Sequence, residues 1–151
     1  MLVVISANGR SQAHMPRWHP TRKVMMTSTA ALQELLDAVQ LYFDSLYHCD
    51  TVMLNKVFDP SSSLFDADDA SLFVESIESF SNDVGTRESP ASKDQDREDE
   101  VLSVDFLSPL SATVKVRLRA HQNVFVDHLG FVKTEDGWRI VSKIWHLEEV
   151  V

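Results

Sequence analysis

The chain has 151 residues, of which 44% are apolar, and this is enough for one domain with a buried core. The formal net charge is −9, but residues 1–26 carry four basic residues and no acidic one, which leaves −13 on residues 27–151. An acidic body argues against a nucleic-acid groove, which needs a basic surface, and no apolar run is long enough for a membrane span. The single Cys49 excludes an internal disulfide and fits a reducing compartment, so we expect a cytoplasmic protein.

The chain is predicted to divide into a flexible N-terminal extension, residues 1–26, and a single domain, residues 27–151. The apolar run Leu2–Ile5 is too short for the central part of a signal peptide and has no basic segment before it. The pair Met25-Met26 offers an alternative translational start.

The domain is predicted to begin with a long helix. Residues 27–29 (Thr-Ser-Thr) are N-cap candidates for a helix from about Ala30 to Tyr47. Its apolar residues are spaced three and four apart, as on one face of a helix. They are Leu32, Leu35, Leu36, Val39, Phe43, Leu46 and Tyr47, with Tyr42 beside them.

Shorter elements follow. Asp50 can cap a second helix that runs to about Phe58, and residues 62–65 suggest a brief strand. Asp68 or Asp69 is predicted to cap a third helix. The apolar side of that third helix would carry Leu72, Phe73, Ile77 and Phe80.

Residues 81–100 are almost wholly polar. They include Gly85 and Pro90 and end in a charged run, residues 93–100. Such a segment buries too little apolar surface to offset the entropy lost on ordering. We therefore predict a mobile polar loop at residues 81–100.

The last third of the chain, residues 101–151, predicts four antiparallel strands with one apolar face. Alternation of apolar and polar residues is typical of half-buried strands. The predicted inward residues are Leu102, Val104 and Phe106; Val114, Val116, Leu118 and Ala120; Phe125, Asp127, Leu129 and Phe131; and Trp138, Ile140, Ser142, Ile144 and His146.

Two hairpin turns set the predicted register. Asp136-Gly137 favours a two-residue type I′ turn, which by stepping outward pairs Asp127 with His146. A similar turn at Gln122-Asn123 places the same side chains on the same face. A carboxylate beside an imidazole on an apolar, concave face is therefore the predicted site.

Three segments resemble the putative lumazine-binding family of the nuclear transport factor 2-like superfamily. They are Tyr42–Asp50 (YFDSLYHCD), Phe125–Leu129 (FVDHL) and Gly137–His146 (GWRIVSKIWH), and the resemblance covers roughly residues 32–146. Helices followed by strands already predict an α+β domain. The resemblance implies that these helices pack on a strongly curved antiparallel sheet, a cystatin-like half-barrel cone as in ketosteroid isomerase, with a pocket between them.

The chain differs from the family's typical residues at two positions, and the resemblance also implies how the chain assembles. The family typically has Gly where Cys49 stands and Tyr where His128 stands. It usually dimerises through the outer sheet face, where we place His128, Val141 and Trp145. A large Trp145 ring on a solvated surface would be unusual, so we predict a homodimer contact there. Trp138 is predicted to plug the core.

The candidate site residues have more than one interpretation. Asp127 and His146 could be a general acid–base pair, or a structural pair that also contacts ligand. Tyr42, Tyr47 and His48 are predicted to line the pocket mouth as ligand-binding residues, with core packing as the alternative. No spacing typical of metal ligands and no cofactor motif is present, so neither a metal nor a cofactor is predicted.

The predicted function is the binding of a small, flat organic ligand in the cone of a homodimer. One alternative is a dehydratase, isomerase or epoxide hydrolase in which Asp127 or His146 moves a proton. Ketosteroid isomerase and scytalone dehydratase, within the same superfamily, use inward carboxylates and histidines in this way. A second alternative is a scaffold protein whose cone is filled by its own side chains.

Overall fold

A computed structural model describes residues 23–151 of the chain, with side chains from residue 29 onward. The predicted extension therefore lies outside the described residues, apart from residues 23–26, which belong to a helix. In chain order the elements are α1 (Lys23–Tyr47), α2 (Thr51–Val57), β1 (Phe58–Asp66), β2 (Phe73–Ser76), α3 (Ile77–Thr86), a 3₁₀ turn (Ala91–Lys93), β3 (Asp99–Ser108), β4 (Ser111–Ala120), β5 (Asn123–Thr134) and β6 (Gly137–Val150).

The strands form one strongly curved, unclosed sheet in the order β2-β1-β6-β5-β4-β3. Neighbours are antiparallel except β1 and β6, which run parallel. The helices pack on the concave face, where one cluster of buried apolar side chains joins them to the sheet. The predicted α+β cone is confirmed, although the sheet is mixed. None of the helices in residues 23–151 combines the length and the apolar character needed to cross a membrane.

Helix α1 begins earlier than the sequence suggested. It starts at Lys23, so the predicted cap at residues 27–29 lies inside the helix and the prediction of its position is wrong. The helix buries residues three and four apart, as its apolar spacing requires. The buried apolar residues of α1 are Ala31, Leu35, Val39, Tyr42 and Phe43.

The predicted second helix is confirmed and the predicted third helix is displaced. Asp50 caps α2 by accepting hydrogen bonds from the backbone N–H groups of Val52 and Met53, at 2.9 and 3.0 Å. Residues 73–76 pair with β1 as strand β2 instead of continuing a helix from Asp68 or Asp69. Helix α3 begins only after its own cap, Ser76.

The polar segment 81–100 is shorter as a connection than predicted, because α3 extends to Thr86 and β3 begins at Asp99. The remaining link is tied to α1. The Tyr47 hydroxyl donates to the Gln95 carbonyl at 2.7 Å, and Arg97 forms an ion pair with Asp44 at 2.7 Å. The mobility of this segment stays a prediction.

Both hairpin turns lie earlier in the chain than predicted. The β5–β6 turn is formed by Glu135 and Asp136, neither of which has the positive φ that a type I′ turn requires. The positive φ, 101°, occurs instead at Gly137, the first residue of β6. The β4–β5 turn is formed by residues 121–122, and His121 has a φ of 56°.

A bulge in β6 then changes which side chains face inward. Phe131 pairs with Ile140 but Gly130 pairs with Ser142, so Val141 is an extra residue. Because successive side chains of a strand alternate between faces, one extra residue exchanges the faces of everything after it. The inward set of β6 continues through Lys143 and Trp145, and the predicted inward positions of Ser142, Ile144 and His146 are wrong.

Candidate functional site

A cavity of about 370 Å³ enters the concave side of the sheet. Its walls come from the end of α1, from α3 and from strands β4, β5 and β6. The cone is therefore not filled by its own side chains. The apolar part of the lining includes Leu46, Phe80, Val84, Leu118, Phe125 and Trp145.

A buried carboxylate lines this cavity. It belongs to Asp127 on β5, which is 1% exposed. Its Oδ2 atom accepts a short hydrogen bond from the Tyr42 hydroxyl and lies 3.6 Å from Lys143 Nζ. Its Oδ1 atom is buried and has no hydrogen-bond partner among the described residues. A buried acceptor without a partner has lost its hydration without replacement, so this oxygen is free to accept a hydrogen bond from any donor that comes within reach.

Lys143 on β6 is the second charged residue in the lining of the cavity that is buried, with 6% exposure. Its Nζ lies 4.7 Å from the ring centre of Phe80 and 5.6 Å from that of Tyr42. Burial lowers the pKa of Lys143, and the neighbouring Asp127 carboxylate acts in the opposite direction. The distance to Asp127 is that of an ion pair and is longer than a hydrogen bond, so the ammonium also has donors to offer.

Tyr42 contacts Asp127 from the side of helix α1. It is buried on α1, and its ring lies 6.0 Å from that of Phe58 in an edge-on arrangement. Burial raises the pKa of the Tyr42 phenol well above its usual range, and the charge of Asp127 raises it further. The phenol is therefore a hydrogen-bond donor that holds Asp127 in place, and it does not line the cavity as predicted.

The predicted pairing of Asp127 with His146 is wrong. Asp127 pairs with Trp145 and His146 pairs with Val126, so the two side chains lie on opposite faces of the sheet. The His146 side chain is 62% exposed, and its Nδ1 lies 2.5 Å from Asp68 Oδ1. This hydrogen bond raises the pKa of His146.

Two other predicted mouth residues lie outside the cavity. Tyr47 packs under Arg97, with 4.7 Å between the guanidinium carbon and the ring centre, and its hydroxyl is used by the Gln95 carbonyl. His48 is exposed, with its ring 5.0 Å from that of Tyr47.

The structure adds two site residues that sequence reasoning placed on the outer face. Lys143 and Trp145 both line the cavity, and the Trp145 ring packs edge-on against Phe125 at 6.0 Å. The predicted outward position of Trp145 is thus wrong. A signal in the sequence could have indicated these residues. The large apolar residues of β6 stand at even positions at first, Trp138 and Ile140, and at an odd position later, Trp145, which indicates an extra residue between them.

The buried groups of the site are a carboxylate, Asp127, and an amine, Lys143. In the part of the chain from residue 23 onward, His, Cys, Asp and Glu do not assemble in any group of three that could hold an ion. The buried pair can offer an acceptor, through Asp127 Oδ1, beside a donor, through Lys143 Nζ. Aromatic walls complete a pocket suited to a small planar molecule.

Comparison with known proteins gives a consistent family and fold. The family model described as putative lumazine-binding matches residues 30–146. No curated protein matches the chain.

Solved structures of similar fold come from several bacteria. A nuclear transport factor 2-like protein of unknown function from Silicibacter pomeroyi superposes with a TM-score of 0.67 at 20% identity, covering 80% of this chain and 98% of that one. A protein of the same description from Shewanella baltica has a TM-score of 0.70 at 18% identity, with coverage of 78% and 94%. A cystatin-like fold protein from Burkholderia xenovorans has a TM-score of 0.60 at 17% identity, with coverage of 81% and 95%.

Proposed function

This chain belongs to the putative lumazine-binding family of the nuclear transport factor 2-like superfamily, and we propose that its cone binds a small, flat organic ligand. The observation that carries the proposal is the cavity of about 370 Å³, whose lining includes Asp127 with its unpartnered Oδ1 atom. Its size lies in the range of about 300–1,000 Å³ that small-molecule pockets occupy. An open cavity favours ligand binding over a scaffold with a filled cone.

The ligand we propose carries an N–H group beside a carbonyl group on a ring. The N–H would donate to Asp127 Oδ1, and the carbonyl would accept from Lys143 Nζ. Hydrogen bonds with a charged partner are about twice as strong as neutral ones, so the pair would orient the ring. Lumazine, which the family description names, has such an edge and is a suitable probe.

An acid–base reaction by Asp127 and His146 is not favoured by the geometry, because the two groups lie on opposite faces of the sheet. Tyr42 takes the role of holding Asp127, and Tyr47 and His48 are left out of the proposed site. A cytoplasmic location remains part of the proposal, supported by the free thiol of Cys49.

We expect lumazine to bind with saturable, one-to-one stoichiometry in calorimetric titration. Asp127→Asn should weaken binding about ten-fold, since a charge-assisted hydrogen bond worth about 2.8 kcal/mol becomes a neutral one worth about half as much, a loss of about 1.4 kcal/mol. His146→Ala, on the opposite face, is the matched control and should leave the affinity within about two-fold.

Two results would contradict this proposal. One is the absence of saturable lumazine binding to the unmodified protein. The other is an equal loss of affinity in Asp127→Asn and His146→Ala. Circular dichroism of each variant checks that the fold is retained.

We further propose that a second copy of this chain packs on the outer sheet face. Ile144 and Val74, which are 56% and 53% exposed, both pair with Phe65 on this face, and His128 adjoins Ile144. Arg117 on the same face forms ion pairs with Glu100 and Glu148 and so offsets one of their two negative charges. Two acidic chains could therefore meet here without strong repulsion.

Ile144→Glu is expected to convert a dimer into a monomer of 17.1 kDa in sedimentation equilibrium, because it buries an unpaired charge at the contact. Leu107→Glu, at an 88% exposed position near the β3–β4 turn, is the control and should leave the dimer intact. A monomeric unmodified protein would refute the proposed contact.

A further inference from the structure

The most unusual group in the cavity is the Lys143 amine, and we propose that it captures an aldehyde or ketone as an imine. The inference rests on the cavity being the ligand site, and it goes beyond non-covalent binding. Among the described side chains Lys143 is the only buried lysine. Of the lysines from residue 29 onward, it is also the only one that lines the cavity.

The geometry supplies what imine formation needs around the nitrogen. Lys143 Nζ faces Asp127 Oδ2 at 3.6 Å, close enough for the carboxylate to accept a proton after a small movement. The second carboxylate oxygen, Asp127 Oδ1, has no hydrogen-bond partner among residues 29–151 and is free to carry a proton. Tyr42 acts as a positioning residue, because its hydroxyl donates to Asp127 and fixes the carboxylate.

The state of the amine is also suitable. Only the neutral amine attacks a carbonyl carbon, and burial lowers the pKa of Lys143 below that of a solvated lysine. Lys133 provides a contrast, because its Nζ lies 2.5 Å from Glu34 at the surface. Lys143 is therefore neutral in a larger share of molecules than a solvated lysine would be.

The step balances with the groups present. Lys143 gives one proton to Asp127, its nitrogen attacks the carbonyl carbon, and the carbonyl π electrons move to oxygen, which takes that proton back from Asp127. A second proton passes from nitrogen through Asp127 to the resulting hydroxyl. The hydroxyl leaves as water while the nitrogen lone pair forms the C=N bond. The products are a protonated imine on Lys143, one water molecule and the original Asp127 carboxylate.

The side chains that line the cavity indicate which class of carbonyl compound would bind there. Phe80, Phe125 and Trp145 offer ring faces, which suits an aromatic or similarly flat molecule. Arg87 also lines the cavity, together with the Glu75 and Glu88 carboxylates, and its cation is already paired with Asp83. This arrangement favours an uncharged aldehyde or ketone over an anionic one.

The test is reductive trapping with benzaldehyde and cyanoborohydride at pH 7, followed by peptide mass mapping of the full chain. We expect the benzyl label on Lys143 at least ten-fold faster than on Lys133. Lys143→Met should remove the label from this peptide and leave Lys133 labelling unchanged. Equal labelling of Lys143 and Lys133, or none on Lys143, would overturn the proposal.

The variant Asp127→Asn distinguishes two possible causes of fast labelling: proton transfer by Asp127, and a high fraction of neutral Lys143 amine. Removing the carboxylate lowers the pKa of Lys143 further, so labelling would accelerate if amine availability alone mattered. If Asp127 carries the protons, labelling slows at least ten-fold, and acceleration would overturn its role. Lumazine binding without Lys143 labelling would refute the imine alone, whereas Lys143 labelling without lumazine binding would refute only the heterocycle proposal.

Discussion

Replacing Asp127 with alanine is expected to lower the free energy of unfolding by about 3 to 5 kcal/mol, which makes it one of the most damaging single changes in this chain. The reason is that Lys143 would keep its burial and lose its counter-charge. The Tyr42 hydroxyl would at the same time lose its acceptor. Urea unfolding at pH 7, followed by circular dichroism, measures the loss.

The double variant Asp127→Ala/Lys143→Met tests this explanation. Removing both charges leaves no unpaired ion, so the double variant should recover at least about 2 kcal/mol relative to Asp127→Ala alone. His146→Ala, at the exposed contact with Asp68, is the comparison and should change the unfolding free energy by less than about 1 kcal/mol. A double variant no more stable than Asp127→Ala would show that the ion pair is not the cause.

Tyr42→Phe is expected to flatten the loss of stability at alkaline pH. Burial and Asp127 raise the pKa of Tyr42 above its unfolded value of about 10, so the folded protein keeps a phenol proton that the unfolded chain releases. The stability from this group is complete below about pH 10 and falls as pH rises towards the folded pKa, by about 1.4 kcal/mol per pH unit.

Lys143 contributes with the opposite sign and over a different range. Its folded pKa is lowered, so stability rises with pH until the unfolded lysine also loses its proton near pH 10.4, roughly its ordinary pKa. Unfolding free energies above about pH 11.5, where an unfolded lysine is largely neutral, should therefore isolate the Tyr42 effect. Tyr47→Phe is the control, because its hydroxyl donates to a backbone carbonyl and should leave the alkaline decline in place. Equal slopes for Tyr42→Phe and the unmodified protein would contradict the assignment.

The strands of the second half illustrate what periodicity predicts well. Val114, Val116 and Leu118 are buried as their alternation indicated, and so are Leu129 and Phe131. The β4–β5 pairing differs from the predicted one by an even number of residues, which leaves each side chain on its predicted face. Asp127 therefore faces inward, as the sequence indicated.

The β6 strand illustrates where periodicity failed. A strand pattern assumes strict alternation, but the extra residue Val141 interrupts it, and the residues from Ser142 to Leu147 change face. The observed pairing next to the turn predicted at Asp136-Gly137 differs from the predicted one by an even number of residues, which leaves the faces unchanged, so it is the bulge that brings Lys143 inward and turns His146 outward. The parallel strand β1, which pairs with β6 far along the chain, was likewise not indicated by any local turn signal.

Local sequence determined the helix-then-strand order, the Asp50 cap, the family and the inward position of Asp127. These features depend on neighbouring residues, whose spacing and capping groups are visible in the chain itself. Only the tertiary structure decided that Lys143, and not His146, stands beside Asp127, with Tyr42 reaching them from α1. The physical reason is that one bulge and one helix-to-sheet contact set this meeting, and both are settled by packing over long sequence distances.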